Sequence, residues 1–255
     1  MITSDVPEDW RALQDDVARI LNECGMEVEV EKPVATARGE VAVDVFARET
    51  VKGRAYTLLT ECKNWTRNVP QTVIHAFRTV VAESGANIGY IVSSSGFQAG
   101  AFTAAELTNI RLLTWLEFQD DFEEAWVAQY LLPTVWERLD PLFSYTEPLV
   151  PRSFLEVDDE AVERLKELRE KYGPFAWLMM TFTPFMQDLL DRRSGQVGAP
   201  KLPLRDRAPK ELIDTTPSEI LDAVGYREFL HEALDYGETA IEEFRDALAR
   251  GGKGD

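Results

Sequence analysis

Cysteine is scarce: the chain of 255 residues has two, Cys24 and Cys62. Two thiols cannot build a four-cysteine metal centre and form one bridge at most, so a disulfide framework is excluded and a reducing, cytoplasmic setting is expected. Long apolar runs are lacking too. The opening MITSDVPEDWRALQDD has neither the basic flank nor the apolar stretch of a secretory signal. The most apolar later stretch, Pro174 to Leu190, is interrupted by Thr181, Thr183, Pro184, Gln187 and Asp188, so no membrane contact is expected. Positive charge is in deficit, with 27 Lys and Arg against 45 Asp and Glu and a net charge of −18. That excludes a protein that holds nucleic acid by overall charge and confines any such contact to a local patch. Internal repeats and low-complexity runs are absent as well. What remains, 45% hydrophobic residues with 15 Gly and 13 Pro, is enough to bury one large or two small cores.

Hydrophobic spacing divides the chain. Trp10, Leu13, Val17, Leu21 and Cys24 recur at helical steps from about Pro7 to Glu23, and Gly25 stops that helix. Alternation then takes over in MEVEVE, in EVAVDVFA and in AYTLLTECK, the last two joined across Lys52-Gly53. Pro70 opens a helix carrying Val73, Ile74, Phe77, Val80 and Val81, and Gly85 closes it. NIGYIVSS reads as a buried strand, Gly96 to Asn109 as a helix and IRLLTW as a final strand. The order αβββαβαβ makes an α/β fold with a mixed sheet flanked by helices. Beyond Trp115 only helices are expected: Gln119 to Leu139, Asp159 to Tyr172, Pro174 to Arg193, and two more near the end, with a capping box at Thr216-Pro217-Ser218-Glu219 ahead of the long last one. The cluster of Trp177, Met179, Met180, Phe182, Phe185 and Met186 reads as core or subunit interface. Pro141, Pro148 and Pro151 set the boundary near Pro148, dividing residues 1–148 from an all-helical part, 149–255.

One pair of strands carries residues a bland strand would not choose. In EVAVDVFA the valines face one side, leaving Asp44 on the other between Ala42 and Phe46. In LLTECKNW, Glu61 and Lys63 share a face, roughly 7 Å apart along the strand. If the two strands pair through their hairpin, Asp44 and Glu61 come close enough to share one hard cation, Mg²⁺ or Mn²⁺, with the backbone carbonyl of Cys62 as a third oxygen ligand and the Lys63 ammonium alongside. Phosphodiester hydrolysis asks for this combination, because the anionic ester repels a nucleophile until its charge is neutralised. Taken singly, Asp44 is an ordinary turn carboxylate and Glu61 with Lys63 an ordinary surface ion pair; it is the three together that point to a catalytic set.

In this order the residues resemble the Mrr-like restriction endonucleases of the PD-(D/E)xK nuclease superfamily. The resemblance spans roughly residues 10 to 118. LQDDVARILNECGMEVEV resembles that family's first helix and edge strand, GEVAVD its glycine-rich turn ending in the first metal-binding Asp, and Glu61-Cys62-Lys63 with Trp65 its Glu-Cys-Lys signature; GYIVSSSGFQAGA and IRLLTWLEF follow in register. It departs in two places. Val41 and Ala42 replace two glycines of the turn, and Gln14 stands where many relatives carry a helix acid that helps the metal site, with Asp15 and Asp16 next to it. The resemblance implies a metal-dependent endonuclease that cuts DNA to 5′-phosphate and 3′-hydroxyl ends, commonly in bacterial defence against foreign DNA. The alternative is an inactive nuclease fold serving as a DNA- or protein-binding subunit.

Double-stranded DNA would need basic ground. Seven basic residues stand against four acidic ones between Arg38 and Arg78, and six against one between Arg192 and Lys210. Candidate phosphate contacts are Arg38, Lys52, Arg54, Arg67, Gln71, His75 and Arg78, the last three on one polar helix face. Ser94, Ser95 and Gly96 read as a phosphate-cradling turn or as a helix cap. Cutting two strands calls for a homodimer or a partner protein, held through the helical C-terminal part. The acidic remainder of the chain predicts weak baseline DNA affinity with strong salt dependence.

Overall fold

A computed structural model describes residues 1–37, 39–149, 151–194 and 199–251. The chain forms two compact units, residues 5–129 and residues 1–4 with 130–255. The division falls well before Pro148, because the helix running through 132–146 packs with the later helices.

The first unit follows the expected order. Helix α1 (Trp10–Glu23) leads into strands β1 (Glu27–Thr36), β2 (Gly39–Val51) and β3 (Arg54–Lys63). Then come α2 (Gln71–Ser84), β4 (Ile88–Ser93), α3 (Ala99–Ala105), β5 (Ile110–Thr114) and α4 (Trp115–Trp126). The five strands form one sheet in sequence order. Its first three are antiparallel, and β3, β4 and β5 run parallel. Connection length dictates that split. Lys52 and Gly53, at φ 49° and 77°, make a two-residue hairpin of the kind whose twist matches antiparallel strands, whereas the parallel pairs need α2 and α3 as crossovers. α2 and α3 cover one face, where Ile74, Phe77, Val81 and Ala101 pack with Leu59 and Ile91. Gly89 lets them close in: a Cβ there would lie 2.7 Å from both Ile110 and Val81. On the other face Phe118 and Phe122 of α4 meet Tyr90 of β4, and Trp126 donates its indole N–H to Glu23 at the end of α1.

The second unit is helical: α5 (Leu132–Thr146), α6 (Asp159–Met180), α7 (Pro184–Ser194), α8 (Lys210–Thr215), α9 (Ser218–Asp222) and α10 (Tyr226–Gly251). A π-helical turn, Val127–Leu131, precedes α5. Two prolines read as breaks lie inside helices, Pro141 in α5 and Pro174 in α6. Burial of Tyr172, Phe175, Ala176 and Met179 around the second one outweighs its lost hydrogen bond. Residues 1–4 join this unit at the start of α10, where Arg227 N–H donates to Ile2 O at 2.8 Å and Ser4 N–H to Glu228 Oε2 at 3.2 Å. The capping box expected at Thr216 does not form, since α9 starts behind Pro217 with no side-chain cap, while Thr114 and Glu117 build one at the head of α4. The Trp177–Met186 cluster divides: Met179 and Phe182 are buried, Trp177 and Phe185 exposed. No described helix is long and apolar enough to cross a membrane.

Candidate active site

The site forms where the ladder between β2 and β3 ends. Pairing of these strands stops at Val45↔Thr60, and on the other side Glu31 of β1, at φ 52°, interrupts the ladder between Val30↔Val45 and Lys32↔Val43. Asp44 thus has no ladder pair of its own in β1 or β3, and its side chain takes over: Asp44 Oδ2 accepts the Cys62 N–H at 2.7 Å. This bond bridges the fork and fixes the carboxylate next to β3.

β3 continues past the fork because β4 supports it, Glu61, Cys62 and Lys63 pairing with Ile91, Val92 and Ser93. Alternation puts Cys62 into the core at 6% exposure and leaves Glu61 and Lys63 on the open side. The Lys63 ammonium donates to Glu61 Oε1 and to the Cys62 carbonyl at 3.4 Å, and lies 3.9 Å from Asp44 Oδ2. The structure therefore brings Asp44, Glu61, the Cys62 carbonyl and Lys63 together, with the three side chains only 28%, 24% and 16% exposed. Burial, reinforced by Asp44, pushes the Glu61 carboxyl above the usual carboxylate range despite the opposing pull of Lys63. Burial likewise raises the Cys62 thiol well above its ordinary value, so it is not a nucleophile here.

Gln14 lies on α1, 3% exposed, and its Oε1 is buried without a hydrogen-bond partner. The head of α1 is anchored beside the fork, where Asn64, next to Lys63, donates to Pro7 O at 3.4 Å. Among the described residues no group of three or more His, Cys, Asp or Glu side chains converges as a metal cage. The oxygen donors on offer are two carboxylates and a carbonyl.

The candidate phosphate contacts do not form one surface. Lys52 and Arg54 sit at the hairpin, seven or more residues along β2 from Asp44, roughly 23 Å away. Counting charges along the sequence joined two opposite ends of the sheet. Arg78 donates to Ala104 O at 3.0 Å and Gln71 lies against Gly100, so both tie α2 to α3; His75 is exposed on the same helix. Arg67 is exposed four residues beyond Lys63, and Arg38 lies outside the described residues. In the second basic stretch, Arg205 pairs with Asp222 and Arg207 donates to the carbonyls of Lys201 and Pro203.

The Ser94–Gly96 turn is a latch rather than a cradle or a cap. Ser94 and Ser95 hydroxyls donate to the carbonyls of Trp65 and Arg67, at 3.3 and 2.8 Å, while α3 starts later, behind Gln98. The run of serines after β4 was the available signal, and its partners in the 64–70 loop could not be read from spacing.

Comparison with known families fits this geometry. Residues 8–120 match the family model described as restriction endonuclease, of the Mrr catalytic type. This segment is similar to a restriction endonuclease catalytic domain. The match takes in all five strands and both sides of the fork. Among curated proteins no match is found. Of solved structures, AF1548, a protein of unknown function, is similar at 16% identity and a TM-score of 0.35, over 93% of this chain and 97% of its own. The DNA modification-dependent restriction endonuclease AspBHI shares 13% identity at a TM-score of 0.32, and the restriction endonuclease MspJI, solved with a 27-mer oligonucleotide, 18% at 0.31. Each alignment takes in 46% of this chain, and it spans 35% of AspBHI and 27% of MspJI.

Proposed function

We propose that the endonuclease domain hydrolyses DNA phosphodiester bonds in a metal-dependent reaction carried by Asp44, Glu61 and Lys63, serving bacterial defence against foreign DNA as its family resemblance implies. The observation that carries this reading is the convergence of two carboxylates and an ammonium at the fork of β2 and β3, inside the segment that matches the family. The donor set suits a divalent ion. Asp44, Glu61 and the Cys62 carbonyl are hard oxygen ligands of the kind Mg²⁺ or Mn²⁺ takes, waters completing the shell. Two carboxylates against one ammonium also leave negative charge in a partly desolvated place, and the raised Glu61 carboxyl records that cost. A bound divalent ion supplies neutralisation of the phosphate and a more acidic water.

The chain's own groups do the positioning. Cys62 N–H holds Asp44 at the fork, so the carboxylate costs little to orient. Lys63 gives its N–H groups to Glu61 and the Cys62 carbonyl in the free protein and turns them to the phosphoryl oxygens when DNA arrives, stabilising charge that builds up on phosphorus. Water oxygen adds to phosphorus and the bond to the 3′ oxygen breaks, leaving 5′-phosphate and 3′-hydroxyl ends. Cutting both strands of a duplex takes two such sites, so the working form is a homodimer or a complex with a partner protein held through the helical unit; mass in solution with and without DNA checks this.

A second reading, an inactive fold that only binds DNA or protein, draws on Gln14 and on the lack of a third converging acid among the described residues. One experiment separates the two. Supercoiled plasmid is incubated with the protein and Mg²⁺, with chelator, and with Asp44→Asn or Lys63→Ala. Nicking that needs both the metal and the side chains supports the enzyme; plasmid left intact by the wild-type protein supports the binding subunit.

A further inference from the structure

The loop that leaves the site is built unlike its length suggests. Residues 64–70 have no helix or strand, yet the backbone is clamped at nearly every step. Ser94 N–H donates to Lys63 O at 3.1 Å, and the Ser94 and Ser95 hydroxyls hold Trp65 O and Arg67 O. Asn68 Nδ2 reaches Phe97 O at 3.1 Å, and Val69 exchanges backbone bonds with Gly96 and Gln98 at 2.9 and 3.0 Å. Beneath them Ser93, fully buried, accepts the N–H groups of Ser95 and Gly96 on its hydroxyl oxygen at 3.2 and 3.1 Å, fixing the shape of the latch. Here the side chain it fixes is Trp65, which stays 43% exposed with its ring centroid 5.9 Å from Lys63 Nζ.

An exposed indole on a rigid loop beside the ammonium that would meet the phosphate is placed to meet the nucleotide carrying that phosphate. Resting on the proposed nuclease reading, we infer that Trp65 is a positioning residue whose indole face stacks on a nucleobase next to the scissile phosphate. Every base offers a π-face, so the contact is sequence-tolerant, and it needs a base that has left its neighbours' stack. The endonuclease domain therefore grips DNA better where a base is unpaired. Clamping the loop in advance removes the ordering cost of that contact, and the nearby ammonium offsets the weak phosphate grip of an acidic protein.

The test uses the full chain and two labelled DNA duplexes, one fully paired and one with a single bulged base, binding being followed by fluorescence anisotropy in chelator and cleavage with Mg²⁺. The wild-type protein is expected to bind the bulged duplex more tightly. Trp65→Ala weakens that binding about tenfold or more and levels the two duplexes, raising KM with kcat little changed, while Trp65→Phe retains the preference because it keeps an aromatic face. Melting curves confirm that both variants fold. The inference is overturned if Trp65→Ala binds both duplexes as the wild-type protein does, if Trp65→Phe fails as badly as Trp65→Ala, or if the wild-type protein shows no preference. Trp65-dependent binding without any cleavage would sink the nuclease reading alone, and cleavage with no effect of Trp65 would sink only this inference.

Discussion

The fork of the first unit and the helices of the second treat charge in opposite ways. In the first unit Asp44 and Glu61 are brought together at the fork of a sheet with only Lys63 between them, so like charges share a partly desolvated space. In the helical unit carboxylates are matched to cations across helices: Glu243 of α10 receives Arg164, Lys171 and the Tyr172 hydroxyl of α6, and Arg138 of α5 pairs with Glu238. An arrangement that lowers stability in the absence of a ligand is what a binding site looks like, and one that raises it locally is what scaffolding looks like.

The largest effect expected separates scaffold from site. Phe244 is fully buried among Tyr145, Phe154 and Tyr172, with ring centroids 5.1 to 6.4 Å away. Phe244→Ala should lower the stability of the helical unit by about 3–5 kcal/mol in denaturant unfolding. Plasmid nicking by the protein that remains folded should persist; its loss at a temperature where the variant is native would show that the helical unit takes part in the chemistry. Asp44→Asn is the converse case. The amide oxygen still accepts the Cys62 N–H, but the charge is gone, so nicking should fall about 10²–10³-fold while the melting temperature holds or rises. A large fall in melting temperature instead would make Asp44 a structural strand residue.

How much of this was legible in the sequence follows from the range of each interaction. Alternation and helical spacing are local, which is why the strand order and the grouping of Asp44, Glu61 and Lys63 could be expected from residues two apart and one hairpin. Charge counting could not tell that Lys52 and Arg54 lie far from Asp44, because an extended strand carries neighbours in sequence far apart in space. Prolines misled at positions 141 and 174, where tertiary burial overrides a local penalty. The latch from Ser94 and Ser95 to the Trp65 loop joins segments about 30 residues apart through hydroxyls, and no periodicity reports such a bond. The role of residues 1–4 beside α10 was hidden for the same reason.

A metal should sharpen the contrast. If the fork binds Mg²⁺, adding it at ten times Kd stabilises the native first unit by about 1.4 kcal/mol, seen as a rise in its melting temperature that chelator reverses. Asp44→Asn should lose that rise, and Glu243→Gln should keep it. A rise that survives Asp44→Asn would place the ion elsewhere.

The smallest expected effect tests the scaffold side by pH. Burial pushes the Glu243 carboxyl up, but the Tyr172 hydroxyl, Lys171 and Arg164 outweigh it and hold its pKa below the ordinary value. A carboxyl whose pKa is lowered on folding contributes stability above its unfolded pKa and gives it up as pH falls through the folded one. Glu243→Gln should therefore lower stability at neutral pH by less than about 1 kcal/mol, the pairs being largely solvent-exposed. The difference from the wild-type protein should shrink to nothing once the solution is more acidic than the folded pKa. Glu61 runs the other way in the metal-free protein, because burial and Asp44 favour its neutral form. An acid titration in which Glu243→Gln matched the wild-type protein at every pH would show that the cross-helix pairs do not discriminate the two units, leaving the contrast to rest on the charge at the fork.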